Sequence, residues 1–180
     1  MEQSKSDVRL GRFLSRVLRH EPEAAGIQVD RHGWADVKKL LAGVRNTGRS
    51  IDMDTLERIV RENNKQRYSF NWNHTKIRAN QGHSIPVDLE LEEAEPPQRL
   101  YHGTASRFLS AIYREGIRKM GRQYVHLSGD FETAAAVGKR HGNPVVLTID
   151  AAAMARDGVA FYRSENGVWL CDWVDPKYFI

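Results

Sequence analysis

The acidic, proline-containing segment 85–97 divides the chain into two parts. It carries five Asp and Glu residues, no Lys or Arg, and two consecutive prolines at its end. Prolines stiffen a connecting segment, and like charges extend it. The alternation of apolar and acidic residues within the segment is also compatible with an edge strand. We therefore expect two lobes, residues 1–95 and 96–180, with a semi-rigid linker at the end of the first lobe.

Both parts of the chain outside this acidic segment are basic. Residues 1–84 carry 16 Lys and Arg against 10 Asp and Glu, and residues 98–180 carry 11 against 8. The overall net charge of +4 therefore understates how positive the two parts are. Basic surfaces attract phosphate groups, so the sequence favours a nucleic acid as partner, although a solvated charged face is a common alternative.

Composition limits the class of protein. A length of 180 residues with 41% hydrophobic residues is sufficient for one large core or two small ones. No apolar run approaches the length of a membrane span, and the N-terminal residues lack a signal-peptide core, so a soluble cytoplasmic protein is expected. The single cysteine, Cys171, excludes an internal disulfide and a cysteine-built zinc site, and the seven histidines lack metal-ligand spacing. We expect Cys171 to be a small core residue and expect no bound metal.

The first lobe begins with an amphipathic helix. Its apolar side chains recur at helical spacing, and they are Leu10, Phe13, Leu14, Val17 and Leu18. The opposite face carries four arginines, namely Arg9, Arg12, Arg16 and Arg19. Ser6 is a suitable N-cap, and Pro22 ends the helix soon after Arg19-His20. Such arginines are often merely solvated, but a guanidinium group also binds phosphate through two parallel hydrogen bonds.

The remainder of the first lobe combines short strands and helices. Ile27 and Val29 indicate a short strand, and Asp36 and Asp52 cap two amphipathic helices. A hairpin follows, in which the alternating residues of the first strand are Tyr68, Phe70 and Trp72 and the return strand covers 76–78. This order of elements is winged-helix-like, a fold that binds nucleic acids but also serves in protein contacts.

The stretch 100–128 opens the second lobe as strand, turn, helix, turn and strand. Ser106 is placed to cap the helix and Gly116 to end it. His102 lies on the first strand and His126 on the second, so the two histidines come close if the strands share a sheet. A histidine on a strand is more often a hydrogen-bonded core residue than a functional one, so these residues alone do not establish a site.

The rest of the second lobe mixes helices with short strands. The predicted elements are a helix at 131–139, a strand at 145–149, a helix at 151–156, strands at 161–162 and 168–171, and a final strand at 178–179. Many short strands with few helices indicate an α+β lobe. No G-x-G-x-x-G motif follows a strand, so a Rossmann dinucleotide site is not supported.

Motifs in both lobes carry a resemblance to a known family. They are Arg19-His20, 65–70 (KQRYSF), 77–84 (IRANQGHS), 102–106 (HGTAS), 122–128 (RQYVHLS) and 164–169 (SENGVW). In that order they resemble the NAD-dependent RNA 2′-phosphotransferases, and the resemblance covers essentially the whole chain. That family joins a winged-helix RNA lobe to an ADP-ribosyltransferase lobe, so the resemblance implies an α+β fold of this architecture.

The resemblance implies an activity and a catalytic set. Members of the family move an internal 2′-phosphate of RNA to NAD, which is consumed as a co-substrate, and the tRNA-splicing members act on tRNA. The catalytic Arg, His, Arg and Arg of the family correspond here to Arg19, His20, Arg67 and Arg122. No metal is required by this scheme, and nothing indicates an obligate protein partner.

The resemblance also assigns NAD to the second lobe. It implies that Gly103 and Thr104 contact nicotinamide or its ribose and that His102 binds the adenosine side. Further contacts are expected from Ser106, His126, Ser128 and Arg140. Many ADP-ribosyltransferases place a glutamate at the third position of their signature, where this chain has Val168, so ordinary protein ADP-ribosylation is not expected.

Two other classes of protein remain open on the sequence alone. A non-catalytic winged-helix binder of RNA or DNA would explain the arginines, but it would leave the motifs of the second lobe unexplained. An ADP-ribosyltransferase that caps terminal phosphates of nucleic acids would share the first reaction step and stop there.

Overall fold

The structure is a computed structural model that describes residues 3–180 and divides the chain into two compact units, Met1–Glu90 and Leu91–Ile180. The linker expected around Glu95 contributes to the second unit, since the backbone N–H of Ala94 donates to the carbonyl of Phe161 at 2.9 Å. No helix within residues 3–180 combines the length and apolarity needed to cross a membrane. Helices and strands are mixed in both units, so the predicted α+β class is confirmed.

The first unit packs three helices against a small antiparallel sheet. The elements are α1 (Lys5–Arg19), a short 3₁₀ helix (Pro22–Ala25), β1 (Ala35–Asp36), α2 (Val37–Asn46), α3 (Met53–Glu62), β2 (Tyr68–Phe70) and β3 (Lys76–Ala79). The strand order is β1-β3-β2, with both pairings antiparallel. The buried stripe predicted for α1 forms one wall of the core, and Leu14, Val17 and Leu18 are fully buried in it. The predicted helices and hairpin are therefore present.

Two of the three helix caps predicted for the first unit are confirmed. The side chains of Asp36 and Asp52 accept hydrogen bonds from the first turns of α2 and α3, as predicted. The cap of α1 is Ser4, not Ser6, and it accepts from the N–H of Asp7 at 3.0 Å. Ser6 lies inside the helix, and Asp7 in its first turn accepts hydrogen bonds from Arg58 of α3 at 2.9 and 3.0 Å.

Two strand predictions in the first unit are wrong. The segment containing Ile27 and Val29 is irregular, because Gly26 adopts a left-handed conformation (φ 64°) and β1 takes the pairing position beside β3. Trp72 does not continue β2, since the chain turns directly after Phe70.

The second unit is built from short strands and three helices. Its elements are β4 (Arg99–Ala105), α4 (Leu109–Glu115), β5 (Ile117–Arg118), β6 (Val125–Leu127), α5 (Phe131–Lys139), β7 (Pro144–Asp150), α6 (Ala151–Arg156), β8 (Tyr162–Arg163), β9 (Trp169–Cys171) and β10 (Trp173–Val174). Strand β4 pairs with β7, β9 lies between β6 and β8, and β5 pairs with β10, all antiparallel. Cys171 is a buried core residue, as predicted, and burial raises the pKa of its thiol to about 12.

Three details of the second unit differ from the sequence interpretation. Ser106 caps no helix, since it begins a 3₁₀ turn (Ser106–Phe108) and α4 starts after that turn without a side-chain cap. The expected final strand is a 3₁₀ turn (Pro176–Tyr178) initiated by a proline, and only Phe179 bridges to Ile149. The β5–β10 pair was not predicted, because each of its strands has only two residues.

Helix α5 lies directly on β4 because two glycines permit close contact. A Cβ atom added at Gly103 would lie 1.7 Å from the carbonyl oxygen of Ala134. A Cβ atom at Gly138 would lie 2.6 Å from the carbonyl oxygen of Thr104. Both distances are far below van der Waals contact, so any larger residue would separate the helix from the strand.

Candidate active site

The C-terminal end of α1 carries the first two predicted catalytic residues. Arg19 is the last residue of the helix, and His20 is its C-cap, with its N–H donating to the carbonyl of Arg16 at 2.9 Å. The segment 82–84 packs against this end, and the N–H of Ser84 donates to the carbonyl of Arg19 at 3.0 Å. The Ser84 hydroxyl also lies 2.8 Å from Nδ1 of His20. Ser84 therefore orients the imidazole.

Gly82 provides the space that the Arg19 side chain occupies. Its φ of +91° belongs to a left-handed region that side chains disfavour, and a Cβ atom there would lie 3.2 Å from Nε of Arg19. The next residue, His83, is 1% exposed, and neither of its ring nitrogens has a hydrogen-bond partner in the described part of the chain. Burial lowers the pKa of His83 to about 4, and the positive charges of Arg19, His20 and Arg78 act in the same direction. His83 is therefore neutral at pH 7.

Arg67 is held at the entrance of the hairpin by Asn63. The buried amide oxygen of Asn63 accepts from the backbone N–H of Arg67 at 3.1 Å and from its guanidinium group at 3.4 Å. The preceding residue, Gln66, has a positive φ of 45°, which is uncommon outside glycine. Asn80 fastens the same corner, since its side chain donates to the carbonyl of Gln66 at 2.6 Å. The backbone of Arg67 is thus fixed before the strand begins.

Tyr68, the residue after Arg67, binds the middle of α1. Its buried hydroxyl donates to the carbonyl of Gly11 at 2.6 Å and lies 2.5 Å from the hydroxyl of Ser15. Burial raises the pKa of Tyr68, and the charges of Arg19 and Arg67 oppose that rise, so both guanidinium groups lie within electrostatic range of one hydroxyl. Arg19 and Arg67 therefore both lie near Tyr68, and together with the adjacent His20 they form the basic cluster of the first unit.

In the second unit, His102 is oriented by the strand that carries His126. Nδ1 of His102 lies 3.2 Å from the carbonyl oxygen of His126, so Nδ1 carries the proton and Nε2 the lone pair. The two strands belong to different sheets but are joined by backbone hydrogen bonds between Tyr101 and Ser128, at 2.8 and 2.9 Å. Burial lowers the pKa of His102, whereas the bond to His126 acts in the opposite sense. The neutral form is favoured.

The fourth predicted catalytic residue, Arg122, lies beside His126. Its guanidinium group donates to Nδ1 of His126 at 3.3 Å, so the proton of the neutral imidazole is on Nε2. The side chain of Arg122 is exposed, yet the protein around it partly desolvates the guanidinium group and lowers its pKa. An arginine keeps its charge despite such a shift, so this part of the second unit is cationic.

The other residues predicted to bind NAD occupy different positions around β4. Thr104 is buried on the strand, Ser106 is exposed just after it, and Ser128 pairs with Tyr101 through its backbone. Arg140 is exposed at the C-cap of α5. Packing alone requires a glycine at position 103, because the contact with Ala134 excludes a side chain. The presence of Gly103 is therefore no evidence for a cofactor, and the contact of Gly103 with NAD stays a prediction.

Sequence reasoning missed the residues that support the cluster. The 77–84 motif was recognised, but no role was assigned to His83 or Ser84, and Asn63 was not singled out. A glycine–histidine–serine run directly before a proline-containing segment gives no periodic signal that would reveal a contact with a helix 64 residues earlier. Within residues 3–180, no three His, Cys, Asp or Glu side chains are grouped as a metal site would require.

The fold and these residues define an α+β protein whose cationic clusters are suited to phosphate groups. Comparison with known proteins then identifies its family. Residues 5–173 match the profile described as RNA 2′-phosphotransferase, Tpt1 / KptA family, and the chain belongs to that family. The resemblance recognised in the sequence is thereby confirmed.

Several curated relatives resemble this chain over nearly their full lengths. A probable RNA 2′-phosphotransferase of Fusobacterium nucleatum is 55% identical over 174 residues, covering 96% of this chain and 97% of the relative. A protein with the same description from Flavobacterium johnsoniae is 52% identical, covering 94% and 93%. One from Agrobacterium fabrum is 52% identical, covering 93% and 90%.

Proposed function

We propose that this protein is an NAD-dependent RNA 2′-phosphotransferase. It moves an internal 2′-phosphate of a tRNA-like RNA to NAD and releases 2′-hydroxyl RNA, nicotinamide and ADP-ribose 1″,2″-cyclic phosphate. The observation that carries the proposal is the grouping of Arg19, His20 and Arg67 in the first unit. We assign this unit to a winged-helix RNA lobe and the second unit to an ADP-ribosyltransferase lobe that binds NAD.

In the first step, an oxygen of the RNA 2′-phosphate attacks C1″ of the nicotinamide ribose. The bond from C1″ to the pyridinium nitrogen breaks, its electron pair stays on that nitrogen, and nicotinamide leaves neutral. A phosphate monoester is largely dianionic at neutral pH, because its second pKa is about 6, so the nucleophile needs no general base. Cationic side chains are required instead, since they hold two anionic substrates at the correct approach.

In the second step, the 2″-hydroxyl of the ribose attacks the phosphorus atom. The bond between phosphorus and the RNA 2′-oxygen breaks, the attacking hydroxyl loses its proton, and the RNA oxygen gains one. Arg67 and Arg122 stabilise charge on the non-bridging phosphate oxygens. His20 suits the proton transfers because the Ser84 hydroxyl, 2.8 Å from Nδ1, can donate or accept and so supports either tautomer. Arg19 positions the phosphate.

The arrangement around β4 fits a dinucleotide substrate. Nδ1 of His102 donates to the His126 carbonyl, so Nε2 carries the lone pair. Nε2 can therefore accept a hydrogen bond from a ribose hydroxyl. We propose that His102, Gly103 and Thr104 are the main NAD contacts. The supporting contacts are Ser106, His126, Ser128 and Arg140.

One incubation series tests the proposal. The protein is incubated with and without NAD and with one of three RNAs, carrying an internal 2′-phosphate, a 5′-phosphate or no extra phosphate. We expect NAD-dependent loss of the 2′-phosphate and release of nicotinamide with the first RNA only. A stable ADP-ribose adduct on the 5′-phosphorylated RNA, with no reaction of the first, would favour terminal capping. RNA binding without nicotinamide release from any RNA would favour a non-catalytic binder.

A further inference from the structure

Trp72 is the most exposed large hydrophobic residue in the described part of the chain, at 91%. It lies in the turn between β2 and β3, and the single indole does not contribute to the core of the first unit. Isolated exposed hydrophobic residues are common on protein surfaces and need no explanation by themselves. The surroundings of Trp72 decide whether this one has a function.

The turn that carries Trp72 is fastened by its own side chains. The amide of Asn71 donates to the hydroxyl of Thr75 at 3.0 Å, and its oxygen accepts from the N–H of Lys76 at 2.9 Å. The oxygen of Asn73 accepts from the Thr75 hydroxyl at 2.6 Å. His74 stacks on the ring of Phe70, with 4.4 Å between ring centroids. The indole is therefore held in solvent by a defined turn, which reduces the entropy lost when a ligand binds it.

The sheet face beside this turn is basic. Tyr68, Ile77 and Ala79 point into the core, so the alternate residues of the hairpin lie on the other face of the sheet. Lys76 is exposed there, whereas Arg78 is half-buried and its guanidinium group lies over the ring of Trp34. The segment 63–87 contains four Lys and Arg residues and no Asp or Glu. Two acidic residues adjoin it from other elements, since Asp36 pairs with Lys76 in register and Glu57 bonds His74 at 2.9 Å. The remaining outward surface is complementary to a phosphate backbone.

We propose that this hairpin face binds the single-stranded RNA that flanks the 2′-phosphate, with an unpaired base stacked on Trp72 and a neighbouring phosphate bound by Lys76. Proteins that bind single-stranded RNA combine aromatic stacking surfaces with a positive groove. Here the basic strand leads from Arg67, in the proposed catalytic cluster, to the indole. The inference deepens the proposed function, on which it rests, by naming the part of the RNA beyond the reacting phosphate.

The length of the hairpin sets the position of the stacked base. Arg67 and Trp72 are five residues apart in sequence, so a fully extended chain would separate them by at most roughly 16 Å at about 3.3 Å per residue, and the turn after Phe70 shortens that distance. Stacked nucleotides advance about 3.4 Å each. The base on Trp72 is therefore roughly three to five nucleotides from the 2′-phosphate, and a dinucleotide substrate is too short to reach it.

The test uses a series of RNAs that carry one 2′-phosphate and grow one nucleotide at a time from a dinucleotide, separately on the 5′ and 3′ sides. Binding is measured by fluorescence anisotropy, and turnover with NAD is measured in parallel. The wild-type protein should gain on the order of tenfold in affinity when the RNA on one side reaches Trp72. The Trp72→Ala variant should lose that gain, and Trp72→Phe should keep part of it.

Two further measurements accompany the RNA length series: indole fluorescence, which reports direct contact with Trp72, and the salt dependence of binding, which reports the phosphate contact of Lys76. Bound RNA of sufficient length should quench indole emission in the wild-type protein, and Trp72→Phe should lose that quenching. The Lys76→Ala variant should lower the slope of log Kd against log salt by about 0.7, as expected for one phosphate contact with a single strand. Lys177→Ala removes an exposed charge from the second unit, where Lys177 lies 3.9 Å from Asp157, and should leave the slope unaltered.

The outcomes separate this inference from the proposed reaction. If Trp72→Ala gains as much affinity with length as the wild-type protein, or loses the same factor for every length, the inference is wrong. Self-association that disappears in Trp72→Ala, without an effect on RNA binding, would also overturn it in favour of a protein contact. Absence of turnover by the wild-type protein, with the length-dependent loss of binding intact, would count against the chemistry alone.

Discussion

At the scale of single residues, the candidate site depends on polar groups that support the arginines and histidines. Ser84 orients His20, Asn63 fixes Arg67, and Gly82 leaves room for Arg19. His83 lies among these groups as a buried, neutral side chain whose ring nitrogens have no hydrogen-bond partner within residues 3–180. A protonated His83 would repel the same cationic residues that the proposed chemistry needs, so its neutrality helps to maintain the cluster.

Protonation of His83 should destabilise the fold at low pH. Its pKa is about 4 in the folded protein, whereas a solvent-exposed histidine has a pKa of 6.5. The folded protein thus binds fewer protons than the unfolded chain between these values, so the free energy of unfolding falls as pH is lowered through this window. The contribution is about 2 kcal/mol between about pH 7.5 and pH 5. Urea unfolding of the wild-type protein and His83→Gln at both pH values measures it.

The comparison uses the pH-dependent change in stability and not the absolute stability, because the substitution itself alters a buried site. His83→Gln should lose about 2 kcal/mol less than the wild-type protein on acidification. The exposed His74→Gln variant serves as the matched control. An identical loss in the wild-type protein and His83→Gln would show that His83 is not held neutral by the fold.

Removal of one of the proposed catalytic arginines should separate the two proposed steps. The nucleophile of the first step arrives ionised, whereas the second step must activate a hydroxyl and stabilise extra charge on the phosphate. We expect Arg67→Ala or Arg122→Ala to slow the second step by on the order of 10²–10³ and the first step by less. A time course should show an RNA species larger than the substrate by one ADP-ribose, which converts slowly to 2′-hydroxyl RNA.

The exposed Arg61, whose side chain is 69% accessible, provides the matched control as Arg61→Ala. It removes one guanidinium group from the same unit as Arg67 and should behave as the wild-type protein. If Arg67→Ala and Arg122→Ala consume substrate slowly and never accumulate the larger species, the first step bears the main cost. These arginines would then act in substrate binding and orientation.

At the scale of elements, the contact between β4 and α5 positions the proposed NAD contacts. Gly103→Ala would place a methyl group against the Ala134 carbonyl, so helix and strand would have to separate. Overpacking of this kind costs about 1–3 kcal/mol, and occasionally more. Urea unfolding should show that loss for Gly103→Ala. Gly129→Ala is the control, because a Cβ atom there meets nothing within 4 Å, and an equal loss in both variants would contradict the packing argument.

The regular elements were predictable because they satisfy a periodicity over several residues. Helices α5 and α6 and strand β7 were predicted within a residue of their observed ends, since caps and apolar runs mark them. Strands of two residues, such as β5 and β10, depend on a partner distant in sequence and carry no periodic signal. The strand predicted at Ile27 and Val29 is absent although its apolar pattern suggested one, because Ile27 is buried and Val29 half-buried in an irregular segment that pairs with no strand.

The candidate site was predictable through motifs rather than through geometry. Arg19 and His20 were recognisable at a helix end, and the HGTAS and RQYVHLS motifs marked both strand histidines. The residues that support this site were not predictable, because His83 and Ser84 reach α1 only after the chain has folded. Resemblance therefore supplied the residue roles, while the fold supplies the hydrogen bonds that orient those residues.

At the scale of the whole molecule, the proposed catalytic residues are divided between the two units. Arg19, His20 and Arg67 belong to Met1–Glu90, and Arg122 belongs to Leu91–Ile180. We therefore expect neither unit, expressed alone, to remove a 2′-phosphate from RNA with NAD. Circular dichroism would establish that each fragment is folded, and substantial turnover by the isolated second unit would show that the first is dispensable for chemistry.

The central claim is that the RNA phosphate is transferred to NAD and is not hydrolysed. The most direct measurement follows an RNA whose internal 2′-phosphate is labelled with ³²P, together with nicotinamide release, in one reaction of the full-length protein. We predict that the label appears in ADP-ribose 1″,2″-cyclic phosphate, with one nicotinamide formed for each phosphate removed. Label recovered as inorganic phosphate, or removed from the RNA without NAD, would contradict the account.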